Sequence, residues 1–200
     1  MNDNSNMPQP LAITLASSSP RRREILATLG LEFSIAAADA DETPLPGEAP
    51  GDMVLRLAVA KAEAVAAGPP DIVIAADTAV VVDDLVLGKP TDRDDCLAML
   101  DALSGRSHTV YTGVALHCDD VTHTALSKTD VLFRDISRDE AITYWQSGEP
   151  RDKAGAYAVQ GLGGVFVERI EGSYSGVVGL PVFETASLLR QVGFDLVTRR

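Results

Sequence analysis

Two long β-rich runs, Ser107 to Cys118 and Val121 to Phe133, flank Asp119-Asp120 and form the clearest antiparallel pair in the chain. Parallel neighbours need a long crossover, so two such runs joined this closely argue against a purely doubly wound fold. Other stretches do read as βα units. Leu11 to Leu15 is a short buried strand followed by a helix that opens at Pro20, and Ile72 to Ala76 is a continuous apolar run suited to a central strand covered on both faces. Together these predict an α/β fold: a mixed, twisted sheet flanked by helices, with a cleft between two lobes. With 46% hydrophobic residues, the 200-residue chain can bury a substantial core.

The connecting elements follow from their caps and breakers. Glu32 to Ala37 reads as a second strand and Ala38 to Gly51 as loop. Pro50 to Ala67 reads as a helix with Val54, Leu57, Ala58 and Val65 inward, stopped by Gly68-Pro69-Pro70. Ala79 to Val82 and Leu85 to Leu87, joined by Asp83-Asp84, make a hairpin or continue the sheet. Thr91 to Leu103 is helical with Thr91 or Asp92 as cap, and Ser137 to Ser147 is helical with a Ser137–Glu140 capping box and Ala141, Ile142 and Trp145 inward. Val165 to Ile170 reads as a strand, Glu171-Gly172-Ser173 as a turn, Pro181 to Val192 as the last helix, and Phe194 to Arg200 as a fraying end. Residues 1–10 read as a flexible tail before a single two-lobed domain over 11–200.

Between the first strand and helix lies an electrostatic oddity, Ser17-Ser18-Ser19-Pro20-Arg21-Arg22-Arg23. Ser19 suits the N-cap and Pro20 the first helical position. Arginines are disfavoured at the positive end of a helix dipole unless an anion occupies the turn; backbone N–H groups, hydroxyls and guanidinium forks then converge on phosphate oxygens. Asp77-Thr78, leaving the C-terminal end of the Ile72–Ala76 strand, stands where open α/β sheets place ligand crevices. Lys89, between Gly88 and Pro90, is presented on a rigid turn that is not a Walker A loop. Lys61 sits among alanines in mid-helix, a setting in which lysines usually snorkel to solvent. Asp41 and Glu42 read as an acidic loop.

The formal net charge of −12 argues against DNA or RNA as a partner, because polyanion binders are broadly basic. An acidic chain with one local arginine–lysine site suits a small phosphorylated ligand accompanied by a divalent cation. Cys96 and Cys118 read as buried thiols, and His108, His117 and His123 form no metal-ligand pattern, which argues against zinc. No signal peptide or membrane span is evident, so cytoplasm is the expected location.

The same residues carry a family resemblance. Ser17 to Arg22 is similar to the signature of the Maf nucleoside triphosphate pyrophosphatases, and Asp41-Glu42-Thr43, Lys61, Ala76-Asp77-Thr78, Gly88-Lys89-Pro90, Asp152 to Tyr157 and Gln160-Gly161 follow in the family's order. The resemblance runs from about Leu11 to Leu189. It implies an architecture shared with inosine triphosphate pyrophosphatases and hydrolysis of the α–β phosphoanhydride. It makes Asp77 the base, Ser17, Arg21, Lys61 and Lys89 the substrate-binding residues, and Glu42 with Asp77 the holders of Mg²⁺ or Mn²⁺. A homodimer is also implied. Arg22, Thr78 and Gln160 match the branch associated with dTTP and UTP. A 7-methylguanosine triphosphate pyrophosphatase of the sister branch and a non-catalytic nucleotide-binding regulator of septum formation remain the alternatives.

Overall fold

The computed structural model describes residues 12–66 and 72–198, so the expected tail at 1–10 and the Gly68-Pro69-Pro70 stop lie outside the described residues. The antiparallel pair is present with the expected bounds, β5 (Ser107–Cys118) and β6 (Val121–Phe133). Among the described residues, these join β1 (Ile13–Leu15), β2 (Phe33–Ile35), β3 (Ile72–Val82), β4 (Leu85–Leu87) and β7 (Val167–Glu171) in one seven-stranded sheet. Its order is β2-β1-β3-β5-β6-β7, with β4 paired to β3 off that path. β1 runs parallel to β2 and β3, whereas β3, β5, β6 and β7 are mutually antiparallel neighbours. The sheet is mixed, as expected. Both tight turns use an Asp-Asp pair with positive φ, Asp83-Asp84 and Asp119-Asp120, the handedness a two-residue hairpin needs and aspartate tolerates.

Among the described residues, six α-helices cover the sheet: α1 (Pro20–Thr28), α2 (Pro50–Val65), α3 (Arg93–Leu103), α4 (Arg138–Gln146), α5 (Tyr174–Val178) and α6 (Val182–Gln191). Caps set several of their starts. The Ser19 hydroxyl accepts from Arg22 N–H, Asp92 caps α3, and the Ser137–Glu140 capping box opens α4.

Two differences from the sequence expectations bear on the site. β3 does not stop at Ala76 but continues through Asp77 and Thr78 to Val82, because β5 pairs with it from Val73 to Val81. And α5, a five-residue helix capped by Ser173, lies where no element was expected. Val165 and Phe166 belong to a 3₁₀ turn (Leu162–Phe166) rather than to the strand that follows. Part of the expected fraying end is packed, and its last two residues lie outside the described residues. Phe194 and Leu196 lie against the core, and the Asp195 carboxylate accepts the N–H groups of Val197 and Thr198.

β3 has a core at each end. Near Ile72–Ala76, one core gathers Leu15, Leu26, Leu116, Leu180 and Leu188; near Val80–Val82, another gathers Leu97, Leu100, Phe133, Tyr144 and Phe166. Between them β3 lacks a partner on one edge. β1 leaves it after Ile74, and β4 joins it only at Val80. The gap falls at Asp77 and Thr78, where the cleft opens.

Candidate active site

Strand alternation decides what each residue of the gap faces. Asp77 shares a face with Val73, Ala75 and Ala79, the face covered by α2, while Thr78 shares the opposite face with Ile74, Ala76 and Val80. On α2, Lys61 follows Val54 and Leu57 by seven and four residues and therefore lies on the same buried stripe. Its ammonium points into the cleft and not out to solvent. Lys61 is only 8% exposed, with Nζ 2.6 Å from Asp77 Oδ1 and 2.6 Å from Glu42 Oε1. The hydrogen bond from Lys61 lowers the Glu42 carboxyl below its usual range, and the Lys61, Lys89 and Arg22 charges add to this against partial burial.

Opposite, the β1–α1 turn supplies the arginines. Arg22 is clamped: Nε donates to Gly179 O at 2.8 Å, Nη1 to Ser17 Oγ at 3.3 Å and Nη2 to Thr78 Oγ1 at 3.3 Å. Thr78 in turn lies 3.0 Å from Thr112 Oγ1, whose hydroxyl donates to Gly176 O. A guanidinium thus ties the first helix to the middle of β3 and to the backbone of α5 and its C-terminal glycine. Burial lowers the Arg22 pKa, while the Asp77 charge opposes that shift. Arg21 keeps a freer position, its Nη1 3.3 Å from Asp152 Oδ2.

The residues given a catalytic, binding, metal or specificity role from the sequence line this one cleft: Ser17, Arg21, Arg22, Glu42, Lys61, Asp77, Thr78, Lys89 and Gln160. Its volume is about 520 Å³, within the range of small-molecule sites. Five cationic and three anionic side chains line it among the described residues, a local charge of +2 in a chain of −12. Lys89 and Gln160 are exposed on its rim. Asp41 stays in the loop as an exposed residue, accepting the Thr43 N–H.

Sequence reasoning gave no role to Asp152 and Lys153, which also line the cleft and pair with each other. Lys153 and Arg21 hold the Asp152 carboxyl below its usual range against partial burial. The segment behind them docks through Gly155, whose N–H donates to Gly88 O at 3.0 Å. At φ +67, a Cβ there would lie 2.8 Å from Val80 Cγ1, so glycine is required. The only signal in the sequence was the motif run Asp152–Tyr157 itself. Trp145 stays out of the cleft, under the Arg151 guanidinium at 5.3 Å from the ring centroid. His108 is buried against Tyr157, with 2.9 Å between Nε2 and the hydroxyl.

No group of three His, Cys, Asp or Glu side chains suited to a metal ion occurs among the described residues. Among the described residues, the carboxylates that line the cleft are those of Glu42, Asp77 and Asp152. Mg²⁺ is commonly held by one or two carboxylates plus substrate oxygens, and Glu42 and Asp77, both paired with Lys61 Nζ, are the two carboxylates that lie close enough together to offer such a pair.

Clustered cations, a helix N-terminus and one lysine-paired aspartate, set where a mixed sheet parts, define a binding cleft for a small, multiply charged anion. Comparison with known proteins gives the family. The family model described as Maf-like protein matches residues 12–192, and the chain belongs to that family. It is 52% identical over 188 residues to a dTTP/UTP pyrophosphatase of Hahella chejuensis, covering 92% of this chain and 94% of the relative. Identity is 54% over 192 residues to a dTTP/UTP pyrophosphatase of Anaeromyxobacter dehalogenans, covering 94% and 97%. Among solved structures, a nucleoside-triphosphatase / dITP/XTP pyrophosphatase from Mycobacterium abscessus aligns with a TM-score of 0.45 at 15% identity, over 90% of this chain and 94% of that one.

Proposed function

We propose that this chain is a nucleoside triphosphate pyrophosphatase that cleaves the α–β phosphoanhydride of dTTP and UTP, releasing the nucleoside monophosphate and pyrophosphate. The observation that carries this reading is the pairing of Asp77 with the buried Lys61, across the cleft from the arginine-bearing turn. Identity above 50% to dTTP/UTP pyrophosphatases, over more than nine-tenths of both chains, supports the substrate assignment.

The chemistry requires a bound polyphosphate, an oriented water and a place for its proton. Arg21 and the amides of the Ser17–Ser19 turn bind phosphate oxygens, while Lys61 and Lys89 hold the rest of the chain. Fixed charges in a half-buried cleft supply electrostatic stabilisation without reorganising, commonly the largest contribution to catalysis. Asp77 takes the proton of the attacking water at its carboxylate, and Lys61 fixes that carboxylate's orientation. Glu42 and Asp77 would hold a Mg²⁺ or Mn²⁺ ion, which when bound neutralises phosphate charge. The Gln160 amide presents a donor and an acceptor to a pyrimidine edge, and the small Thr78, held by Arg22, leaves room for the base. The family resemblance supports a homodimer, and we extend the proposal to free nucleotides as substrates in the cytoplasm.

The test is product analysis with UTP, dTTP and 7-methylguanosine triphosphate, each with Mg²⁺ or Mn²⁺. Monophosphate and pyrophosphate from UTP and dTTP are expected. Turnover of 7-methylguanosine triphosphate alone would overturn the substrate assignment, and no turnover at all would favour a nucleotide-binding regulator.

A further inference from the structure

Gln160 reaches the cleft on a short segment with Ala158 and Val159, and the groups that fasten this segment lie outside the cleft. Glu149, in the 3₁₀ turn after α4 (Glu149–Asp152), turns its carboxylate onto the far side of that segment. Leu162 N–H donates to Oε2 at 2.9 Å, Gly163 N–H to Oε1 at 2.9 Å, and the Tyr144 hydroxyl to Oε1 at 2.7 Å. The Tyr144 oxygen also accepts the N–H of Ala158 at 3.2 Å. One carboxylate–phenol unit therefore grips the chain on both sides of Gln160, at Ala158 before it and at Leu162 and Gly163 after it.

The fit behind the segment leaves no slack. A Cβ on Gly161 would fall on the Glu149 carboxylate, and one on Gly163 would lie 2.5 Å from the Tyr144 hydroxyl. Tyr144 is itself only 2% exposed, its ring edge-on to Phe166 with 5.1 Å between centroids. Glu149 is tied in turn to the phosphate end of the site, since Lys153 Nζ donates to its carbonyl at 3.2 Å while also pairing with Asp152. Partial burial pushes the Glu149 carboxyl up, but the Tyr144 hydroxyl and the two amides outweigh it and hold the group ionised.

We infer that Glu149 and Tyr144 are positioning residues for base discrimination: without touching the nucleotide, they fix where Gln160 meets the pyrimidine. This rests on the reading of Gln160 as the base-contacting group. The isosteric Glu149→Gln places an amide NH₂ against one of the two backbone N–H donors, which frees one side of the grip and spares the fold around it. Tyr144→Phe removes a single oxygen and keeps the buried ring, so it reports even if the glutamine variant misfolds.

The experiment measures kcat and KM for UTP and the inhibition constant of inorganic tripolyphosphate, which has no base, in wild type, Glu149→Gln, Tyr144→Phe, Gln160→Ala and Glu149→Gln/Gln160→Ala. Expected is a rise in UTP KM of about tenfold for Glu149→Gln and a smaller rise for Tyr144→Phe, with kcat and tripolyphosphate inhibition nearly unchanged. In the Gln160→Ala background, Glu149→Gln should add nothing. Wild-type UTP KM in both single variants overturns the inference, as does weaker tripolyphosphate inhibition to the same degree or an additive loss in the double variant. An unchanged KM in Gln160→Ala overturns the Gln160 reading together with this inference. Failure of the wild type to hydrolyse UTP instead refutes the proposed function.

Discussion

Gly113 is the position at which helix placement and chemistry are most directly linked. It sits on β5 opposite Asp77 in the register, under α2. A Cβ at Gly113 would lie 2.5 Å from Val54 O, 2.6 Å from Val54 C and 2.8 Å from Leu55 N, all backbone atoms of that helix. No side-chain rotation relieves such a clash, so in Gly113→Ala the helix must move off the sheet by roughly 0.5–1 Å, at an overpacking cost of about 1–3 kcal/mol. Lys61 is seven residues further along the same helix face and holds Asp77 and Glu42 at 2.6 Å each. A displacement of that size degrades both contacts, and misplacing a catalytic constellation by about 1 Å can cost on the order of a hundredfold in rate. Urea denaturation should thus show a lower midpoint with unchanged slope, and kcat/KM for UTP should fall by about tenfold or more. An alanine variant with wild-type midpoint and turnover would refute the close packing. A destabilised variant with unaltered kcat would refute the dependence of the site on the position of α2.

Two further outcomes follow from buried polar groups. Arg22→Lys cannot reproduce a fork that reaches Gly179 O, Ser17 Oγ and Thr78 Oγ1 at once, so acceptors lose their donor and stability should drop by about 1–3 kcal/mol, read as a lower denaturation midpoint; an unchanged midpoint would contradict the clamp. His108 is 3% exposed and burial lowers its pKa to about 4, with Asp130 opposing. The unfolded chain, with an ordinary imidazole near 6.5, therefore binds the extra proton first, and stability is lost as pH falls from about 6.5 to 4, by roughly 3 kcal/mol over that window. His108→Gln should flatten that part of the stability–pH curve, and an equally steep curve would contradict a neutral buried imidazole.

Much of the architecture was legible because local chemistry and tertiary structure agree. Asp-Asp turns, the Ser19 and Ser137 caps and the alternating β5–β6 runs all specify their elements within a few residues. Asp77 lies in the cleft, but not because its strand ends there. The strand was expected to end at Ala76, yet β3 continues, because its partner on that side is decided by β5, far along the chain. What stops there is β1, and pattern within β3 alone cannot show where a neighbour leaves. Helix pattern alone reads Lys61 as a snorkelling lysine, and only the family resemblance turns it into the cleft, since its counter-charges come from a loop and from another strand. Helix α5 is not legible in the sequence because five residues with a glycine inside carry no periodicity, and the Glu149–Tyr144 grip depends on contacts that no linear motif encodes.

The most direct measurement pairs turnover with equilibrium binding of UTP in Asp77→Asn. The substitution keeps size and leaves Lys61 its 2.6 Å partner in Glu42, so the fold should persist and UTP should still bind. With no carboxylate to accept the water's proton, kcat should fall by about two or more orders of magnitude. An Asp77→Asn enzyme that binds UTP and turns it over within a few-fold of the wild type would contradict the role of Asp77 as the base.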